Sequence, residues 1–334
     1  MLEVFLIVTI AVAVIFDFTN GFHDTANAIA TSVSTRALSP HQAVLLSSVL
    51  NLVGAVVTVA FFGSKVSNTI AKLVDFKVGL AVIVAGLVGA IAWNLVTWYL
   101  GLPSSSTHAF IGGLIGAAIA QVGGFGGVRW SSVLQTVGGL VLSPPIGFLA
   151  SALFMIFIYQ LARSGRPAPL NRTFRRFQVI TAALVSYSHG ANDAQKSMAA
   201  IGLALVATGH LQTFAIPLWV VFLAAFAIAF GTYAGGWRII RTLGWRIYKL
   251  DPATGMTAQL MGATIIQIAT VLGIPVSTTH VITGSVMGAG APRRLTAIRW
   301  GVGANIVTAW ILTIPAAAAI GWLCFAVLHT ARIG

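Results

Sequence analysis

GFHDTANA (Gly21–Ala28) and GANDAQKS (Gly190–Ser197) are two versions of one phrase, and GLPSSSTH (Gly101–His108) and GIPVSTTH (Gly273–His280) are two versions of another. Asp24 and Asp193 stand 169 positions apart, His108 and His280 stand 172 apart, and Arg129-Trp130 recurs 170 positions later as Arg299-Trp300. One offset, about half of the 334 residues, recurs along the chain, which is therefore a tandem duplication. What is repeated is polar, and its surroundings are greasy. Paired polar interruptions at matching places in two hydrophobic halves are the sequence mark of a transporter's binding site.

Hydrophobic residues make up 57% of the chain and charged residues 7%, with a mean hydropathy of +0.93. A soluble domain carries roughly 25% charged residues to wet its surface. The composition therefore predicts an all-α polytopic membrane protein. Apolar runs of membrane-crossing length recur at Val44–Phe62, Val78–Leu100, Val133–Ile158, Leu218–Tyr233 and Ile306–Leu328. The dyad alternation of a membrane β-barrel is missing. Phe5–Phe16 follows Glu3 and no basic residue, and no small-x-small cleavage site precedes Asp17, so it reads as half of a membrane helix and not as a leader. Cys324 stands alone, which excludes an intrachain disulfide and a thiolate metal site.

The net charge of +13 does not point to nucleic acid, because the basic residues sit in loops. With five passes per half and a cytoplasmic centre, the inner loops hold Arg36, Arg163, Arg166, Arg172, Arg175, Arg176, Arg238, Arg241, Arg246, Lys249, Arg293, Arg294 and Arg299. The outer loops hold Lys65, Lys72, Lys77, Arg129 and Arg332. The excess on the inside fits the positive-inside rule. An odd number of passes per half makes the duplication an inverted repeat. The expected layout is a first repeat over 1–162, a basic cytoplasmic linker over 163–177 and a second repeat over 178–334, about five helices each, ten passes in all.

Only six acids exist, and Asp17, Asp24 and Asp193 lie at membrane depth. A carboxylate in a bilayer costs about 3 kcal/mol or more, so it faces a cavity and a partner. Gly21 and Gly190 suggest local unwinding of the helix beside these acids. In the second phrase, Pro103 and Pro275 suit the first turn of a helix. The hydroxyls that follow, Ser104, Ser105, Ser106, Thr107 and Ser277, Thr278, Thr279, would then join helix N-terminal N–H groups in an anion cradle. His108 and His280 close the two motifs and read equally well as buried structural groups or as functional ones.

At these residues the chain resembles the inorganic phosphate transporter (PiT) family, whose pattern is a GxNDxANA-like motif and a GxPxS[ST]TH-like motif in each half. NGFHDTANA and SHGANDAQK are most similar to the bacterial low-affinity phosphate permeases, and the resemblance runs from Asp17 to about Trp310. It implies symport of phosphate with a cation through two inverted repeats, with discontinuous helices at a mid-membrane site. It also implies a bacterial inner-membrane location, a homodimer, and phosphate carried as a divalent metal complex. Ser105, Ser106, Thr107, Ser277, Thr278 and Thr279 then become phosphate-facing hydroxyls. Asp24, Asn27, Asn192 and Asp193 fall on the signature positions, with His23 beside them, as the cation-coupling set.

The chain departs from the pattern twice. His23 replaces an asparagine, and Gln195-Lys196 replaces Ala-Asn, so that Lys196 is the counterpart of Asn27. An ammonium where an amide would ligate sodium repels a second cation and attracts phosphate. Lys196 thus joins the phosphate-binding set, and protons are the expected coupling ion, with sodium the alternative. No resident metal or other cofactor is expected. A sulfate permease is the nearest rival, a passive anion channel the next. An intramembrane hydrolase is disfavoured because the polar sets are near-matched, whereas catalysis needs one nucleophile beside one base.

Overall fold

The computed structural model describes residues 2–74 and 79–331; Lys77, Val78 and Arg332, used above to read loops and spans, lie outside the described residues. Among the described residues, six α-helices form each repeat. The first contains α1 (Leu2–Ser34), α2 (Pro40–Phe62), α3 (Lys65–Ala71), α4 (Leu80–Leu100), α5 (Ser106–Val122) and α6 (Trp130–Ala162). The second contains α7 (Pro167–Ala207), α8 (Leu218–Ala234), α9 (Trp237–Arg241), α10 (Pro252–Leu272), α11 (Thr278–Gly290) and α12 (Trp300–Thr330).

Local chemistry sets the ends. Ser39 caps α2 by accepting from the Gln42 N–H while the Gln42 side chain accepts from the Ser39 N–H, and Pro40 opens the helix. Asp251 and Thr254 make the same reciprocal pair at α10, with Pro252 in the opening position. α4 and α10 both stop at a left-handed glycine, Gly101 (φ 67°) and Gly273 (φ 75°), a backbone that other residues adopt at a cost.

The repeats interlock. α1 packs on α8 and α7 on α2; α5 packs on α12 and α11 on α6. Each contact recurs with the roles of the repeats exchanged, the mark of a two-fold axis. Glycines set the closeness: a Cβ on Gly112 or Gly116 would run into the α12 backbone at Ile314 and Ala318. Gly284 and Gly288 meet Pro144 and Phe148 of α6 in the same way. Small residues four apart let membrane helices approach to backbone contact.

The bundle is inside-out relative to a soluble one. Leu134, Leu153 and Leu161 on α6 and Ile311 and Leu323 on α12 are exposed, while Asp17, Asp24, Asp193 and Lys196 are buried. That is the partition expected in lipid, where apolar side chains face outward and charges need internal partners.

Three expectations change here. Among the described residues, six helices (α1, α2, α4, α6, α10 and α12) are long and apolar enough to cross a bilayer. A seventh span arises if α8 and Trp237–Arg246, bent 60° from it, count together. The ten simple passes are not seen partly because α5 and α11, with 17 and 13 residues, rise only about 26 and 20 Å at about 1.5 Å per residue, short of a core of about 30 Å. The linker at 163–177 is mostly helix, since α7 begins at Pro167 and Arg172, Arg175 and Arg176 lie in its first turns. Finally, α1 and α7 run unbroken through Gly21 and Gly190. Those glycines admit neighbours and do not unwind the chain: a Cβ on Gly21 would strike the Ile228 carbonyl of α8, and one on Gly190 the Asn51 carbonyl of α2.

Candidate functional site

α1 and α7 pack against each other and carry the first pair of polar motifs, whereas the helix breaks fall in the α4–α5 and α10–α11 hairpins, which carry the second pair. Pro103 and Pro275 do not open α5 and α11 as expected; each lies two residues ahead of an N-cap serine. The caps are Ser105 and Ser277, whose hydroxyls accept from the His108 and His280 N–H groups, both at 3.2 Å. Each of these hydroxyls thus accepts from its own helix. Ser106-Thr107 and Thr278-Thr279 are the first helical residues, where N–H groups lack intrahelical partners.

The two helix N-termini converge. The His108 and His280 rings lie 4.6 Å apart, His280 stacks on Trp310 at 3.8 Å, and the Trp310 indole N–H donates to the Pro103 carbonyl at 2.9 Å. Opposite them stand the acids of α1 and α7. Ser106 donates to Asp24 Oδ2 at 2.7 Å, and Thr279 donates to Asp24 Oδ1 at 3.3 Å. Asn27 Nδ2 donates to Thr279 at 2.9 Å and Thr278 at 3.4 Å, and Thr278 donates to Asp193 Oδ2 at 3.4 Å. One repeat's hairpin thus touches the other repeat's signature helix.

Lys196 joins the two halves. Its Nζ lies 3.0 Å from Asp193 Oδ2 and donates to Ser106 Oγ at 2.8 Å, with Asn20 Oδ1 at 3.4 Å and Thr107 Oγ1 at 3.5 Å. Since Ser106 passes its own proton to Asp24, a charge-assisted chain runs from the ammonium to both carboxylates. Asp24, Asp193, Asn27, Lys196, Ser106, Thr107, Thr278 and Thr279 are each at most 2% exposed, so water screens this network little.

His23 Nδ1 lies 2.7 Å from Asp24 Oδ1, and its Nε2 faces Thr97 at 3.1 Å and Ser104 at 3.3 Å. Asn192 turns away from the acids and donates to Thr270 of α10 at 2.8 Å. Sequence reasoning missed His189, whose Nε2 is 3.3 Å from Asp193 Oδ2 and whose Nδ1 meets Asn51 at 3.0 Å. The signal was present: His189 precedes Asp193 by four residues, one helical turn on the same face. Asp24, His189 and Asp193 offer ligand atoms within 4.8 Å of one another, a set able to hold a cation that the motif reading alone did not assemble.

The description "Phosphate transporter family" belongs to a family model that matches residues 20–172 and 162–321. The chain belongs to the phosphate transporter family. It is similar to a protein of Rhizobium meliloti (strain 1021) described as a "probable low-affinity inorganic phosphate transporter", with 48% identity over 95% of this chain and 94% of that one. A protein of Bacillus subtilis (strain 168) with the same description is 46% identical, over 98% and 99%. Among solved structures, "The sodium-dependent phosphate transporter" superposes with a TM-score of 0.89 at 28% identity, covering 98% of this chain and 99% of that one. This member of the family is a multi-pass membrane transporter and not an enzyme; phosphate is its substrate.

Proposed function

We propose that this family member imports inorganic phosphate by proton symport, with Ser106, Thr107, Thr278, Thr279 and Lys196 receiving the anion and Asp24 and Asp193 answering to the coupling ion. The observation that carries this reading is the 3.0 Å contact of Lys196 with Asp193. A fixed ammonium already holds the place where a sodium ion would compensate that carboxylate, and like charges at such range repel strongly in a buried site.

The hydroxyls suggest how the two loads are coupled. Each has one proton to donate, and Ser106, Thr278 and Thr279 all spend theirs on aspartates. The carboxylates act as resident anions within the cradle. A proton arriving on Asp24 weakens its hold on Ser106 and Thr279, which are then free to turn to phosphate. Either load alone leaves donors or acceptors unpaired, a cost of about 1–3 kcal/mol per buried group. Inverted repeats would let the same site face each side in turn, and assembly as a homodimer is consistent with the family resemblance.

Sodium coupling is the second reading, and one atom favours it. Asn27 Oδ1 is buried and has no hydrogen-bond partner among the described residues, and it lies one turn from Asp24 on α1. An amide oxygen and a carboxylate would make a hard-oxygen site on the half without the lysine, in keeping with the sodium dependence named for the structural neighbour. Radiolabelled phosphate uptake into proteoliposomes, with pH and sodium gradients imposed separately and sulfate as competitor, separates these readings. Proton-driven uptake that ignores sodium is expected, and Asp24→Asn and Asp193→Asn should each abolish accumulation while leaving insertion intact. Strict sodium dependence at fixed pH would overturn the proton assignment, and competition by sulfate at equal strength would overturn the selectivity.

A further inference from the structure

The short helices α3 and α9 each touch the place where the other repeat's hairpin breaks, and they do so with matched atoms. From α3, Lys65 Nζ donates to the Val271 carbonyl at 3.1 Å and Thr69 Oγ1 to the Gly273 carbonyl at 2.7 Å. From the other repeat, Arg238 Nη1 donates to the Tyr99 carbonyl at 2.6 Å and Thr242 Oγ1 to the Gly101 carbonyl at 2.8 Å. Lys65 and Arg238 are 173 positions apart, as are Thr69 and Thr242; their acceptors are 172 apart in both cases. Four acceptor–donor pairs thus obey the same duplication as the polar motifs, yet none of the four donors belongs to those motifs.

The acceptors are the carbonyls that a helix end leaves without partners, and a cation there also meets the negative end of the helix dipole. Arg238 is further held by stacking, its guanidinium 5.3 Å from the Trp98 ring and 4.7 Å from the Tyr99 ring. Gly101 and Gly273 are the hinges between α4 and α5 and between α10 and α11, five residues ahead of Ser106 and Thr278. The other ends of the pins rest on the signature helices. Gln195 Oε1 accepts from the Val66 and Ser67 N–H groups at 3.0 and 3.2 Å, and Ser67 donates back to the Gln195 carbonyl at 2.8 Å. Gln195 is the direct neighbour of Lys196. On the other side, a Cβ on Gly236 would strike the Phe22 carbonyl, beside His23 and Asp24.

We propose that Lys65 with Thr69, and Arg238 with Thr242, are positioning residues for transport: each pair pins the hinge of the opposite repeat's broken hairpin and so sets the cradle hydroxyls against the signature helices. The pins link the helix that carries the coupling carboxylate to the hinge of the hairpin that carries the hydroxyls. In inverted repeats they lie on opposite faces of the membrane, one per face. The proposal rests on the reading of Ser106, Thr107, Thr278 and Thr279 as the anion cradle.

Hydrogen exchange on the purified full-length protein, followed over segments 101–108 and 273–280, tests the pinning without reference to transport. Lys65→Ala with Thr69→Val should speed exchange at 273–280 and spare 101–108; Arg238→Ala with Thr242→Val should do the reverse. Exchange rising in both segments together, or in neither, overturns the proposal, because a general loss of stability has no reason to cross between repeats. Uptake by the same variants should show apparent KM for phosphate raised about three- to tenfold, as expected for a loosened hydrogen-bonding site, with Lys65→Arg and Arg238→Lys restoring it. Crossed exchange with parental KM would also overturn it, since the hinges would then be held without bearing on the cradle. An unmodified protein that moves no phosphate refutes the transport reading instead, and the exchange pattern still decides the pinning.

Discussion

Lys196→Asn is the most informative single change, because it restores in the second repeat the amide that Asn27 supplies in the first. The lost contact is large. At 3.0 Å and an effective dielectric of about 20, opposite unit charges attract by about 5–6 kcal/mol. Lys196 and Asp193 are 1% and 0% exposed, and breaking such a buried pair from one side costs about 3–5 kcal/mol. The change also leaves Asp24 and Asp193, with ligand atoms within 4.8 Å, facing each other without the ammonium between them. Their repulsion at that range is about 3–4 kcal/mol on the same dielectric. A small cation should therefore be drawn in. The assay is thermal unfolding of the detergent-solubilised protein in choline chloride and in sodium chloride at equal ionic strength, beside proton-driven phosphate uptake. The parent should unfold at the same temperature in both salts. The variant should unfold several degrees lower in choline, regain stability in sodium by up to about 2.7 kcal/mol at a hundredfold excess over its Kd, and lose proton-driven uptake. A variant as stable as the parent in choline, with uptake intact, would refute the claim that the ammonium compensates the carboxylates.

Two further outcomes follow. Thr107→Val and Thr279→Val should each raise the apparent KM for phosphate on the order of tenfold to a hundredfold with protein level unchanged, because a hydrogen bond to a charged group contributes about 1.5–3 kcal/mol; flat affinity in both would make these hydroxyls structural. In a Cys324→Ala background, single cysteines at the exposed positions Ser164 and Arg241 should react only from the cytoplasm, and one at the exposed Asn68 only from outside; labelling of all three from one side would overturn the proposal that the repeats are inverted.

What could be read from the sequence was whatever repeats or is chemically costly. Apolar runs gave α2, α4, α6, α8 and α12 within a few residues at most ends, since membrane helices need nothing beyond length and apolarity. Asp24 and Asp193 were recognisable because ionised groups at membrane depth demand partners, and Lys196 because it stands where the first repeat has Asn27; all three lie beside the Ser106-Thr107 and Thr278-Thr279 hydroxyls. The pairing across repeats was not legible: nothing local to Gly112 announces that it meets Ile314 some two hundred residues on. For the same reason Gly21 and Gly190 were read as places to unwind, when a partner helix takes the space a side chain would fill. Ser105 and Ser277 could not be told from their hydroxyl neighbours, because which serine becomes the N-cap depends on where the helix starts, and the proline two residues earlier fixes that only loosely.

The interlocking of α5 with α12 and of α11 with α6 bears on how such a chain could arise. A half-chain alone would leave the glycine face of α5 bare, but a second copy of itself offers the matching surface, so the duplicated unit is one that makes sense as a self-paired dimer. In that dimer any residue near the axis appears twice. A lysine at position 196 would then have its twin at the counterpart of position 27, two ammonium groups at one buried centre. In a single polypeptide that constraint is absent. Asn27 is an amide where its counterpart is Lys196, and His23 and Asn192, or Asp17 and Ser186, differ in the same way. The duplicated chain is therefore lopsided as well as symmetric: among the described residues, its centre has a doubled framework and a single buried ammonium.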